Sequence, residues 1–211
     1  MASFGITEIE SWDRFYRSNF INSLTGFKSV SLIGSINLQG KTNLGIFSSI
    51  VHIGSNPPLV GYINRPVSAA SHTMANIEET GIYTINHIQS FFIEQAHQTS
   101  AKYPKEISEF EETGLHTEFK NNIIAPFVKE SSIKYALSLQ EIIPIKLNDT
   151  FLVIGKIISV ILENDVVLQD GFIELDKAGS VCSNGGDAYY NAEFIDRYQY
   201  ARPGAKTEKI I

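Results

Sequence analysis

The chain has 211 residues, 43% hydrophobic and 19% charged, a globular composition with ample length for one domain and its appendages. A formal net charge of −6 argues against a general nucleic-acid binder, and the one cysteine, Cys182, rules out an intrachain disulfide and fits a reducing cytoplasm. No signal peptide and no apolar run long enough to span a membrane is visible, so a cytoplasmic location is expected.

Thr7 to Leu24 reads as one amphipathic helix. Thr7 and Glu10 stand at capping-box spacing, and Ile9, Trp12, Phe15 or Tyr16, and Phe20 recur at helical intervals until Thr25-Gly26. This segment, residues 1–26, is expected to cover one side of a β domain over 27–195; the alternative is an aromatic face that meets a partner subunit. Phe27 to Ile36 reads as the first strand, Asn37 to Lys41 as a turn, and Asn43 as the start of the return strand.

The stretch from Asn43 to Pro66 is the centre of the chain. Leu44 to Val51 reads as a strand with a buried face. Gly54-Ser55-Asn56-Pro57-Pro58 follows as a loop that two prolines keep out of any ladder. Leu59 to Ile63 is a second strand, ending at Asn64-Arg65-Pro66. After Val67 to Ser71 a helix is expected from His72 or Thr73 to Thr80, with Thr73 as N-cap and Gly81 as the stop. Ile82 to Ile88 alternates as a strand, Ser90 to Ala101 reads as helical, and Ile107 to Thr113 as a short helix before Gly114.

The region from His116 to Lys129 gives no regular pattern. Ile133 to Leu147 is expected as one or two strands interrupted at Pro144, and Phe151 to Leu162 as a long strand turned by Asn164-Asp165. Asp170-Gly171 is a further turn, the chain is Gly- and Asn-rich from Ala178, and residues 196–211 read as a polar arm.

Several chemistries lack their motifs. The five histidines show no zinc spacing, and there is no HExxH, GxSxG, Walker loop or GxGxxG, so no metal site is expected and a nicotinamide cofactor would have to use an open pocket.

Asn43-Leu44-Gly45-Ile46-Phe47-Ser48-Ser49 followed by Ser55-Asn56-Pro57-Pro58-Leu59 resembles the flavin reductase-like, FMN-binding split-barrel family. Further matches are Asn64-Arg65-Pro66, His72 to Ile77, Gly81 to Asn86, Ile154-Gly155-Lys156 and Gly185-Gly186-Asp187-Ala188-Tyr189, so the likeness runs from about Val30 to Tyr190. It implies a mainly β fold with peripheral helices (α+β), an antiparallel split β-barrel of FMN-binding type. It also implies a homodimer with flavin near its interface, and oxidoreductase activity passing reducing equivalents from NAD(P)H through bound FMN.

A flavin needs apolar walls for its ring, polar partners for its ribityl chain, and positive charge for its phosphate. Phe47, Ser48 and Ser49 suit the ring, although the serines also suit ordinary outward strand positions. Asn43, Ser55 and Asn64 suit the ribityl hydroxyls. Arg65, His72 and Thr73 suit the phosphate; equally, Thr73 could cap its own helix and Arg65 make a surface ion pair. His97, Thr99, Ser100 and Lys102 are carried over from the resemblance as further flavin contacts. No residue is assigned as catalytic, because hydride chemistry belongs to the flavin. Two other readings are a non-catalytic flavin-binding or sensing protein and an unrelated small-ligand β-barrel.

Overall fold

The computed structural model describes residues 1–66 and 72–210. Seven strands form its main sheet: β2 (Ser31–Ile36), β3 (Thr42–Phe47), β4 (Ile50–Ser55), β5 (Pro58–Asn64), β6 (Ile82–His87), β9 (Lys134–Ile145) and β10 (Thr150–Ile161). Their order is β3-β2-β6-β9-β10-β5-β4, and every pairing is antiparallel.

Strands β3 and β4 follow one another in the chain yet lie at opposite ends of that order, with Ser48-Ser49 between them. The sheet must curl to allow this. The Ile63 N–H donates to the Ser49 carbonyl at 3.1 Å, extending the β4–β5 ladder to the break, and across the curl the Phe47 ring meets Tyr62 edge-on at 5.0 Å. This is the antiparallel split-barrel architecture with peripheral helices that the sequence leads one to expect.

Alternation along β2 sends neighbouring side chains to opposite faces and so defines two cores. Ile33 joins Tyr62, Ile77, Tyr83, Ile85, Leu137 and Val153 inside the curl. Leu32 joins Val30, Leu44, Ile88, Phe92, Phe110, Val128 and Val181 on the outer face. Helix α3 (His72–Thr80) plugs the inner core through Ile77, and Gly81 ends it with φ +71 and its N–H on the Ile77 carbonyl.

The outer core is covered by α4 (Ile93–Gln98), entered through a 3₁₀ turn at Ser90–Phe92, by α5 (Glu109–Thr113), and by a small second sheet. That sheet is β1-β11-β12, built from β1 (Lys28–Ser29), β11 (Val181–Asn184) and β12 (Ala188–Asn191). A further pair, β7 (Thr117–Glu118) with β8 (Phe127–Val128), fills the region without a sequence pattern.

Several boundaries differ from expectation. The N-terminal helix is two: α1 (Ile6–Ser11) and α2 (Arg14–Leu24). Asp13 caps α2 by accepting from the Phe15 and Tyr16 N–H groups, whereas Thr7 caps nothing, because Gly5 precedes the first turn. Neither helix has a buried residue; Phe4, Trp12, Tyr16 and Phe20 pack mainly on each other.

The first strand is split at Val30, because β1 pairs with β11 while β2 pairs with β3 and β6. The run from Leu44 to Val51 is likewise split at Ser48-Ser49. The Gly54–Pro58 segment is a tight hairpin turn with Ser55 opposite Pro58. Pro144 does not interrupt β9: β6 pairs with β9 over Lys134 to Ser138, so at Pro144 β10 is the partner and no ladder N–H is needed on the other side. Val67 to Ser71 lie outside the described residues.

Candidate functional site

A cavity of about 400 Å³ opens between the main sheet and the small one, at the Ser48-Ser49 break. Curling of the sheet puts β3, the break, Ile63 and Arg65 on one wall, with the start of α3 beside them. The turn after α4 and the β1-β11-β12 sheet form the other wall.

Ten of the expected site residues line this cavity: Asn43, Phe47, Ser48, Ser49, Arg65, His72, Thr73, Thr99, Ser100 and Lys102. Three do not. Ser55 sits at the far end of the β4–β5 hairpin. Asn64 is buried and donates from Nδ2 to the Arg65 carbonyl at 2.7 Å, which fixes the backbone that carries Arg65. His97 lies behind the wall, its Nδ1 2.7 Å from the Tyr189 hydroxyl.

Asn43 is buried and gives its side-chain N–H groups to Thr73 Oγ1 at 2.9 Å and Ser35 Oγ at 3.4 Å. What it can offer a ligand is therefore its carbonyl oxygen, an acceptor suited to a hydroxyl. Thr73, having accepted from Asn43, keeps its own hydroxyl proton to donate. It does not cap α3 as expected, because the helix already begins at His72 and Thr73 lies in its first turn. That turn and Arg65 give this wall its positive end, with the His72 ring beside them.

Gly45 keeps the wall open. A Cβ there would come 3.2 Å from the Phe47 ring and 3.3 Å from Thr73 Oγ1.

The sequence reading missed Glu109. Ser108 and Glu109 tie α5 to β3: Ser108 Oγ is 2.9 Å from Thr42 Oγ1, and Glu109 Oε2 accepts the Leu44 N–H at 2.9 Å. Burial pushes the Glu109 carboxyl above its ordinary pKa, against the opposing pull of the Leu44 N–H, His72 and Lys41. It lines the cavity, but an acid in a short helix gives no sequence signal of that. Lys28 and Ser183 were missed because long-range pairing brings them to the site, and Tyr103, which follows Lys102 in the turn after α4, was passed over.

A curled antiparallel sheet with a polar-edged cavity at its split defines a small-ligand-binding split barrel. The chain belongs to the flavin reductase like domain family, whose model matches residues 27–175. This membership sets aside the reading as an unrelated barrel and places the chain among flavin-related oxidoreductases.

A crystal structure assigned as a flavin reductase with split barrel domain, from Shewanella frigidimarina NCIMB 400, is 47% identical, with a TM-score of 0.92 over 95% of this chain and 100% of its own. Nitrilotriacetate monooxygenase component B from Bacillus cereus shares the fold at 19% identity, with a TM-score of 0.80 over 96% of this chain and 98% of its own. An FMN-binding protein from Thermus thermophilus shares it at 14% identity, with a TM-score of 0.66 over 80% of this chain and 90% of its own.

No helix among the described residues is long and apolar enough to cross a membrane.

Proposed function

We propose that the cavity binds FMN and that the protein is a cytoplasmic, homodimeric, NAD(P)H-dependent flavin oxidoreductase. The observation that carries this reading is the convergence of Arg65, His72 and Thr73 with Asn43, Phe47, Ser48 and Ser49 around one cavity. The residues present fit the group. Arg65, the Thr73 hydroxyl and the first turn of α3 would hold the phosphate. The Asn43 carbonyl oxygen would accept from a ribityl hydroxyl. Phe47 and the Ser48-Ser49 segment would flank the ring, with Thr99, Ser100 and Lys102 completing its edge.

When bound, FMN supplies the two-electron chemistry; the chain's own residues bind and orient it. The name of the Thermus thermophilus structure, an FMN-binding protein of the same fold, supports the choice of flavin.

The test is the visible spectrum of the purified protein after FMN addition and desalting, followed by titration with NADH and NADPH. Retained flavin bands and steady nucleotide consumption are expected. A protein that retains no flavin at micromolar concentration sinks the reading. Retained flavin without nucleotide oxidation leaves a flavin-binding or sensing protein in its place.

A further inference from the structure

The two N-terminal helices are bound to each other more firmly than to the barrel. Phe4, Trp12, Tyr16 and Phe20 make four edge-on ring contacts at 5.0–5.7 Å, and the Arg17 guanidinium donates to the Glu10 carbonyl at 2.8 Å. Neither helix has a buried residue. Among the described residues, Lys28 alone hydrogen-bonds this pair to the chain beyond the bend that follows α2. A segment with a closed cluster of its own and no buried contact to the body can swing as a unit at low free energy.

That bend is Thr25-Gly26-Phe27. Gly26 has φ +80, a left-handed conformation that glycine enters and leaves without a steric penalty. Beside it, Lys28 Nζ donates to the Asn22 carbonyl in the last turn of α2 at 2.7 Å and to Thr25 Oγ1 at 3.3 Å. Ser23 Oγ rests against Gly185, 3.3 Å from where a Cβ would stand. Asn22, Lys28 and Gly185 all line the cavity. The C-terminal end of α2 is thus part of the cavity rim, kept there by one lysine and one close packing contact, with no core residue beneath either helix.

Resting on the flavin reading for its ligand, we propose that α1 and α2 form a lid on the cavity, hinged at Thr25-Gly26 and latched by Lys28, which opens to admit and release FMN. Opening breaks two hydrogen bonds of one lysine, whose ammonium regains water, and uncovers no core residue. The aromatic cluster travels intact. The groups assigned to the phosphate, ribityl chain and ring all belong to other elements, so the motion leaves them in place. Such a lid sets how fast a ligand enters and leaves more than how tightly it is held.

The experiment locks and unlatches the lid in the full chain. Ser23→Cys with Gly185→Cys, in a Cys182→Ser background, brings two thiols within disulfide reach, and the reduced form of the same protein is its control. Stopped-flow fluorescence measures FMN association and dissociation at one protein concentration, so that assembly does not enter the comparison. Oxidation should slow both rates by about tenfold or more, and reduction should restore them; Lys28→Met should speed both by about tenfold, the scale of losing its two hydrogen bonds, with affinity changing far less. Rates that are the same oxidised and reduced overturn the proposal. If the cysteine pair does not fold or oxidise, Lys28→Met decides, and unchanged rates, or a change in affinity alone, overturn it. A readout without ligand separates this from the flavin reading: pulsed EPR between spin labels at Glu10→Cys and Asn148→Cys, in the same Cys182→Ser background. A second distance population that grows in Lys28→Met is expected, and one unchanged distribution sinks the lid. Protein that shows this motion but binds no FMN sinks the flavin reading instead.

Discussion

Asn43 on β3 donates a side-chain N–H to the Thr73 hydroxyl on α3 at 2.9 Å, and this bond joins a strand and a helix 30 residues apart at the cavity wall. It fixes which atoms each residue has left. Asn43 presents an acceptor to the cavity and Thr73 a donor. An anion and a hydroxyl can therefore be recognised side by side by groups whose orientation is already set.

The phosphate assignment predicts a preference for FMN over riboflavin. Arg65→Ala should weaken FMN by about one to two orders of magnitude, because a hydrogen bond to a charged group contributes roughly 1.5–3 kcal/mol. Riboflavin affinity should barely move. Fluorescence titration of both ligands reads this, and equal weakening of the two would remove Arg65 from the phosphate.

Thr73→Val should lower FMN affinity less than Arg65→Ala, and should also destabilise the apoprotein by about 1–3 kcal/mol, since a buried Asn43 N–H loses its acceptor. Thr73→Ser keeps the hydroxyl and should restore most of both. Urea unfolding of the apoproteins separates the stability effect from the ligand effect.

Gly155 lies under the Tyr83 phenol, where an added Cβ would come 2.2 Å from the Tyr83 hydroxyl oxygen and 3.0 Å from Leu137 Cβ. Gly155→Ala should destabilise by about 1–3 kcal/mol. The Tyr83 hydroxyl is buried without a partner among the described residues, so Tyr83→Phe alone should be close to neutral or stabilising. Combining it with Gly155→Ala should recover part of the loss. A double-mutant cycle in urea showing simple additivity would refute the contact.

His87 on β6 is held neutral in the fold, its pKa lowered by burial to about 4 from 6.5. The unfolded chain takes up a proton below about 6.5 and the native state does not until about 4. Stability from this group is thus complete above 6.5, falls as pH drops through that window, and changes no further below it. The loss should reach up to about 3 kcal/mol. His87→Gln should flatten the pH dependence of urea stability between pH 7 and 4.5; an unchanged slope would mean that other groups control it.

A homodimer is expected from the N-terminal segment. Phe15, Leu24 and Phe27 are 75%, 69% and 66% exposed, and α1 and α2 bury no residue. Light scattering should give about twice the 23.5 kDa chain mass. A monomer at every concentration tested would refute it.

Much of this molecule was legible where a local rule decided the outcome. The Asn37–Lys41 turn, the Gly81 and Gly114 helix stops and the β10 strand all rest on residues a few positions apart. Asn43 to Ser49, with Arg65, His72 and Thr73, were singled out by resemblance and by their chemistry, and these residues line the cavity. What escaped was set by partners far along the chain. Ser48-Ser49 reads as strand because nothing local shows that β3 and β4 belong to opposite sheet edges. Ser55 suited a ribityl hydroxyl, but a tight hairpin carries it away from the cavity. Glu109 and Ser183 have no local pattern, since their cavity positions follow from contacts with Leu44 and Lys28.

The placement of β3 and β4 at opposite edges also bears on how the chain reaches this state. The β2–β3, β4–β5 and β9–β10 hairpins close over short turns, whereas the β5–β10 ladder joins Asn64 to Phe151 and the β1–β11 pair joins Lys28 to Ser183. Loop-closure entropy must be met before such distant pairings contribute, which slows folding and leaves hairpin edges open in the meantime. Neither cavity wall exists within a single hairpin. The binding surface is thus a product of the slow, long-range steps, and a partly folded chain would expose its strands without yet being able to recruit a ligand to stabilise them.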